Sequence, residues 1–331
     1  MFQKHLIRFE LANIPANVKF IGGVCGTNRL KAVQEELKSI DEVLANHFPV
    51  HVVSIDYEEK GQEGWLEHAR DVMQQVGAGI FINQTPMPSL DDLTQTNHPN
   101  LRSTKLTRTI EEAGFNGNLL PSFLFSEGGK FIPGSKFWLI SDAFGKEVAG
   151  ALSLDLQMSV YRISPLFEGE RIQLENGEIP KKGPDHIDTF YGVVSGARII
   201  YSALPIVPLT YQTELRVAKT KSDTVKKHYL NLLALSTIAS QHGYELRYFG
   251  LIGGQEKGIN FIEGEGIIVT NGIKPEEKAH LAKKGIEAIE VTLTNNAGNS
   301  GVRCYYAEVL APKYPVAQSV LSLPTNFSMV H

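Results

Sequence analysis

Residues 186–204 read HIDTFYGVVSGARIIYSAL. Two β-rich runs, Thr189–Val194 and Ala197–Leu204, flank Ser195-Gly196, and the pattern predicts an antiparallel hairpin. Helical spacing follows over Val225–Ala239, and Glu245–Leu251 reads as a further strand. The same kind of unit is traceable in both directions. Upstream, Val50–Ile55 is β-branched, and Trp65, Leu66, Ala69, Val72, Met73 and Val76 share one helical face ahead of a strand at Gly79–Asn83. Leu106, Ile110 and Ala113 form a second helical stripe, followed by strands at Lys130–Ile132 and Lys136–Ser141. Downstream, strands at Ile259–Ile262 and Gly266–Thr270 precede a helix opened by Pro275, with Glu276 and Glu277 in its first turn. Gly285 is placed to end that helix, and Glu287–Leu293 and Val302–Leu310 finish as strands. The strand–helix–strand–strand rhythm recurs about five times without visible identity between copies. It predicts an α/β protein. No Ser/Gly tract or charge block divides the chain, so residues 1–331 read as one domain.

Composition narrows the function classes. The chain has 331 residues, of which 42% are hydrophobic, enough for a full core. Its 32 basic and 36 acidic residues give a net charge of −4, which offers no basic excess to neutralise phosphates and argues against a nucleic-acid partner. No apolar run approaches the roughly twenty residues a membrane span needs, and the N-terminal MFQKHLIRFELANIPA lacks a signal-peptide core. Cys25 and Cys304 are the two cysteines, too few for a disulfide framework. A cytoplasmic setting fits best, and delivery to a host without a cleaved signal would leave the same sequence.

Several common sites are absent. Gly250–Gly258 lacks the ending of a phosphate-binding loop, and Gly22–Gly26 lacks dinucleotide spacing, so it reads as a turn before a helix capped by Asn28. The ten histidines are scattered, with no close His/Cys pair for zinc, so neither a metal nor a cofactor is implied. Three short stretches carry chemistry-bearing residues. Ser126-Glu127-Gly128-Gly129-Lys130 sets a carboxylate before two glycines. His186 and Asp188 stand two apart, which on a strand puts both on one face. Gly298–Cys304 brings a cysteine out of a small-residue loop at a strand start. Each also has a plain reading: Glu127 as a turn cap, His186 and Asp188 as an exposed edge pair, and Cys304 as a small buried hydrophobe.

Taken in order, Glu…His-x-Asp…Cys resembles the guanidine-modifying enzymes of the pentein fold, which include arginine deiminase, agmatine deiminase, dimethylargininase and the amidinotransferases. Glu127-Gly128-Gly129 resembles the family's Glu-Gly-Gly-Asp/Asn turn, His186-Ile187-Asp188 its His-x-Asp motif, and Gly301–Cys304 its nucleophile loop. Asn260 stands where the family often has an asparagine before its last apolar strand pair. The resemblance implies a fivefold pseudosymmetric α/β propeller with a central site. It also implies Cys304 as nucleophile, His186 as proton shuttle, Glu127 as guanidinium ligand and orienter of His186, and Asp188 as a second guanidinium ligand. One element of the family pattern is missing. Where its first unit carries an aspartate, this chain reads Phe81-Ile82-Asn83-Gln84, so an amide of Asn83 or Gln84 stands in the substrate-binding position unless Asp91 or Asp92 folds back. An amide lacks the charge that makes such contacts roughly twice as strong. A modified or larger guanidine, small or peptidyl, therefore suits the site better than free arginine.

Other readings are weaker. A papain-like protease has its cysteine before its histidine, whereas here His186 precedes Cys304. A non-enzymatic pentein, such as the ribosome anti-association factor, has no reason to hold Glu127, His186, Asp188 and Cys304 together. Amidino transfer to an amine shares the covalent intermediate with hydrolysis and stays open beside it.

Overall fold

The structure, a computed structural model, describes residues 2–14, 16, 27–56, 69–76, 79–82, 128–166, 173–174, 177–178, 186–250, 258–294 and 301–312. The chain opens with β1 (Phe2–Ala12), α1 (Thr27–Ala45) and β2 (Val50–Asp56). Next come α2 (Ala69–Val72), β3 (Met73–Val76) and β4 (Gly79–Ile82), then β5 (Phe131–Pro133), β6 (Phe137–Ser141), α3 (Lys146–Leu156) and β7 (Ser159–Ile163). A small hairpin, β8 (Gln173–Leu174) and β9 (Gly177–Glu178), precedes β10 (Tyr191–Val194) and β11 (Ile199–Ser202). These lead to α4 (Tyr211–Lys219), α5 (Asp223–His242) and β12 (Glu245–Tyr248). The last elements are β13 (Ile262–Gly264), β14 (Ile267–Thr270), α6 (Pro275–Lys283), β15 (Glu287–Glu290) and β16 (Tyr306–Pro312).

One topology repeats. Among the described residues there are four three-stranded sheets, ordered β16-β1-β2, β5-β6-β7, β10-β11-β12 and β13-β14-β15. In each, an antiparallel pair is extended by a parallel third strand that joins the middle one after a helical crossover. The crossover helix is what a parallel connection requires. β3 and β4 form a further antiparallel pair. Middle strands are buried along their whole length in β6, β11 and β14, which is why they read as unbroken apolar runs, FWLI, IIY and IIV, rather than as alternation. Helix α1 buries Leu30, Val33, Leu37, Ile40 and Leu44, a stripe at spacings of three and four.

The mixed α/β character agrees with the sequence reading, and several boundaries differ from it. Residues 73–76 form β3 rather than continuing a helix from 65, because the segment pairs with β4, Met73 opposite Ile82 and Val76 opposite Gly79. The turn of the 191–202 hairpin takes four residues, 195–198. Arg198 sits in the left-handed region at φ 54° and its N–H donates to the Ser195 carbonyl, so the second strand starts at Ile199. Cys304 lies in a 3-10 turn, Val302–Tyr305, ahead of β16 and not on the strand. The stripe at Leu106, Ile110 and Ala113 falls outside the described residues. Among the described residues no helix is long and apolar enough to cross a membrane.

Candidate active site

In five of the six antiparallel pairs among the described residues, all but β8–β9, the segment just ahead of the strand that comes first in sheet order (β3, β5, β10, β13 or β16) carries a polar or glycine turn. Arg70 stands in α2 three residues before β3, and a 3-10 turn, Gly128–Lys130, runs directly into β5. His186 and Asp188 precede β10, Asn260 precedes β13, and Cys304 precedes β16. Residues scattered over most of the chain therefore occupy one topological position, and hydrogen bonds join them.

Asp188, 2% exposed, is the centre of that network. Its Oδ2 accepts from Arg70 Nη1 and, at 2.8 Å, from Asn260 Nδ2. Its Oδ1 is buried and has no hydrogen-bond partner among the described residues. The Cys304 thiol, half-buried, donates toward Asn260 Oδ1 at 3.6 Å. The Asn260 carbonyl accepts from the Arg303 N–H at 3.3 Å, fixing the turn that presents the cysteine. One asparagine thus holds both the thiol and the carboxylate.

The expectation that a strand places His186 and Asp188 on one face is corrected here. Both lie in the turn before β10, where the Phe190 and Tyr191 N–H groups donate to the Ile187 carbonyl. Their placement comes instead from Gly129, whose carbonyl accepts from the N–H of Ile187 at 3.0 Å and of Asp188 at 3.2 Å. His186 is buried against the same glycine, and a Cβ at position 129 would stand 2.3 Å from its ring Cγ and Nδ1. Gly128 meets Arg70 just as closely, with 2.4 Å from a built Cβ to Arg70 Cγ. Both glycines are needed because backbone and side chains approach too near for any other residue.

A second polar line supports the cysteine turn. Buried Arg303 donates through Nε to Glu308 Oε1 at 2.7 Å, and Lys4 Nζ reaches Glu308 Oε2 at 2.6 Å. Burial, with the neighbouring Arg70 guanidinium, pushes the Arg303 guanidinium below its ordinary range. Burial also opposes ionisation of Glu308, but Arg303 and Lys4 outweigh it and hold that carboxyl down to about 2.

Of the residues singled out in the sequence, His186, Asp188 and Cys304 are described. Asp188 and Cys304 are linked through Asn260. Glu127, Asn83, Gln84, Asp91, Asp92 and Cys25 lie outside the described residues. Arg70 was missed. It lies beside the apolar face of Ala69, Val72 and Met73 without belonging to it, and its signal was positional: a cation just ahead of the first strand of a repeating unit. Among the described residues no three His, Cys, Asp or Glu side chains group as metal ligands. What is assembled is a thiol beside an amide, and a fixed carboxylate with one oxygen left for a donor.

No protein-family model matches the chain, and no curated protein matches it by sequence. Solved structures do match. The N-terminal domain of ArgZ, an arginine dihydrolase from the ornithine–ammonia cycle in cyanobacteria, aligns in its substrate-bound form with a TM-score of 0.55 and 13% identity, covering 92% of this chain and 97% of that domain. The same domain is known covalently bound to a reaction intermediate. AgrE in complex with ornithine and NAD+ aligns with a TM-score of 0.59 and 13% identity over 94% of this chain, which spans 40% of AgrE. DDAH from Pseudomonas aeruginosa, complexed with citrulline, gives 0.56 and 10% identity over 93% of this chain and all of that one. These neighbours are guanidine-modifying enzymes of the pentein fold, and the likeness to them is one of fold.

Proposed function

We propose that this chain is a guanidine-modifying hydrolase that cleaves a C–N bond through a covalent intermediate on Cys304. The observation that carries this reading is the chain of contacts from the Cys304 thiol through Asn260 to Asp188, with Asp188 Oδ1 left unpartnered. A buried acceptor without a donor is costly, and it marks where a donor belongs. A guanidinium N–H supplies that donor in a charge-assisted bond.

The reaction follows from the residue types. Charge delocalised over three nitrogens makes the guanidinium carbon a weak electrophile, so it needs a strong nucleophile and a fixed orientation. The Cys304 thiolate attacks the carbon, and the electron pair of the C=N bond moves to nitrogen. His186 protonates the departing amine as the C–N bond breaks, leaving an amidino-thioether. His186 then removes a proton from water, which adds to the same carbon and expels the thiolate, giving a ureido product. Glu127, which joins Gly128 in the sequence, takes the other guanidinium nitrogens and orients His186 in this reading. Asn83 and Gln84 contribute an amide where a further carboxylate would add charge, which favours a modified or larger guanidine. The fold is read as a fivefold propeller in one domain, supported by the four three-stranded sheets of like topology and the β3–β4 pair as part of a fifth unit.

The test is release of ammonia or amine and of ureido product across a panel of free, methylated and peptidyl guanidines, with and without amine acceptors. Limiting haloacetamidine is expected to label Cys304 and not Cys25, and Cys304→Ala to abolish turnover in a folded protein. Labelling of Cys25 alone, or turnover surviving Cys304→Ala, would sink the proposal.

A further inference from the structure

The molecule carries its own guanidinium on the carboxylate that the proposed reaction needs. Arg70, 2% exposed, donates Nη1 to Asp188 Oδ2 and Nη2 to the Phe131 carbonyl. Its aliphatic stem is locked by Gly128, where no Cβ fits. The guanidinium is therefore a fixed part of the interior and not a side chain that swings aside for substrate. It also holds, in its own unit, the place that Asp188, Asn260 and Cys304 hold in theirs, the turn ahead of the first strand of the pair.

We infer that Arg70 is a positioning residue, one that limits Asp188 to a single oriented oxygen and balances its charge. This inference rests on the reading of Asp188 as a guanidinium ligand. With Arg70 and Asn260 both on Oδ2, the carboxylate plane is pinned and only Oδ1 is left for a substrate N–H. The substrate cation is then held by one directed bond and not by a bidentate fork. A bidentate grip on an uncompensated carboxylate would bind the ground state more strongly and place the carbon according to the carboxylate's own swing. Interactions that favour the ground state as much as the transition state do not raise turnover. Arg70 trades that affinity for orientation toward Cys304.

The inference predicts a split that a purely structural arginine would not produce. Turnover is measured on the best guanidine of the panel and normalised to the thiol titrated by limiting haloacetamidine, so that unfolded protein drops out. In Arg70→Met, turnover per titrated thiol is expected to fall at least tenfold, while KM stays level or decreases because Arg70 no longer offsets the Asp188 carboxylate and only Asn260 still holds Oδ2. Arg70→Lys restores the charge without the fork, so KM should return to the wild-type value while turnover per thiol stays several-fold low. Unchanged turnover per thiol in Arg70→Met, or a raised KM with turnover kept, overturns the positioning role. If Arg70→Met does not fold, Arg70→Lys decides alone, and full turnover per thiol in that variant overturns it. A wild-type protein that turns over no guanidine overturns both this inference and the reading beneath it, whereas wild-type turnover with an indifferent Arg70 overturns this inference only.

Discussion

At position 129 the chain has room for a hydrogen and nothing larger. An alanine methyl there would lie 2.3 Å from Cγ and Nδ1 of His186 and 2.8 Å from Cδ2, well inside van der Waals contact. The glycine carbonyl meanwhile holds the N–H groups of Ile187 and Asp188, so the turn cannot retreat without breaking two hydrogen bonds. The imidazole must therefore move. Overpacking of this kind typically costs about 1–3 kcal/mol. Gly129→Ala is expected to lower the melting temperature and to suppress turnover by displacing His186, the proton shuttle of the proposed reaction. The Cys304 thiol, which donates toward Asn260, should keep its wild-type rate of alkylation by neutral iodoacetamide. Wild-type turnover in Gly129→Ala, measured by ureido product, would show that the His186 ring position is not needed. The sequence displayed this glycine as half of a Glu-Gly-Gly turn. That the second glycine serves His186, distant in the chain, is visible only once the two segments are packed together.

Among the elements, helix α6 is the one whose sequence reading and structure agree most closely. Pro275 occupies the first turn, Glu276 and Glu277 follow, and Gly285 lies just past the end at φ 78° with no atom within 4 Å of a built Cβ. Gly285→Ala therefore isolates the backbone cost of the left-handed conformation. It should destabilise the protein by about 1–2 kcal/mol in urea unfolding, with turnover unchanged. No change in the midpoint would mean that the chain stops this helix by other means. Such caps are legible because their physics is local. The 191–202 hairpin was legible for the same reason, although a left-handed Arg198 lengthened its turn. Residues 73–76 were not, since Met73 and Val76 suit either a helical face or a strand, and only pairing with β4 decides between them. Of the candidate site, Asp188 and Cys304, which Asn260 joins, were legible as residue types in order. Its assembly from the turns ahead of each first strand was hidden, because those turns are joined by contacts such as Arg70 to Asp188 that span much of the chain.

Over the whole molecule, the two ends of the fold are tied at the strand that follows the cysteine. β1 and β16 pair antiparallel from Phe2 opposite Pro312 to Arg8 opposite Tyr306. Glu308 bridges Lys4 of the first strand and Arg303 of the cysteine turn, at 2.6 Å and 2.7 Å. With its carboxyl brought from an ordinary 4.5 to about 2, Glu308 contributes stability that is fully present above the ordinary value and is lost as pH falls toward the lower one. A shift of that size corresponds to roughly 3 kcal/mol. Glu308→Gln removes the charge at every pH and leaves the Lys4 and Arg303 cations without their carboxylate. At pH 7 the variant should be the less stable by a few kcal/mol, and urea midpoints of variant and wild type should converge between pH 4.5 and 2 as the wild-type carboxyl protonates. Parallel curves across that window would mean that Glu308 does not carry the acid sensitivity of the closure. Because Arg303 precedes Cys304 and its N–H rests on the Asn260 carbonyl, loosening Glu308 reaches the Cys304 turn before it reaches the rest of the fold. Alkylation of Cys304 in Glu308→Gln should therefore change at pH 7, while the far-UV signal of the native sheets is still intact.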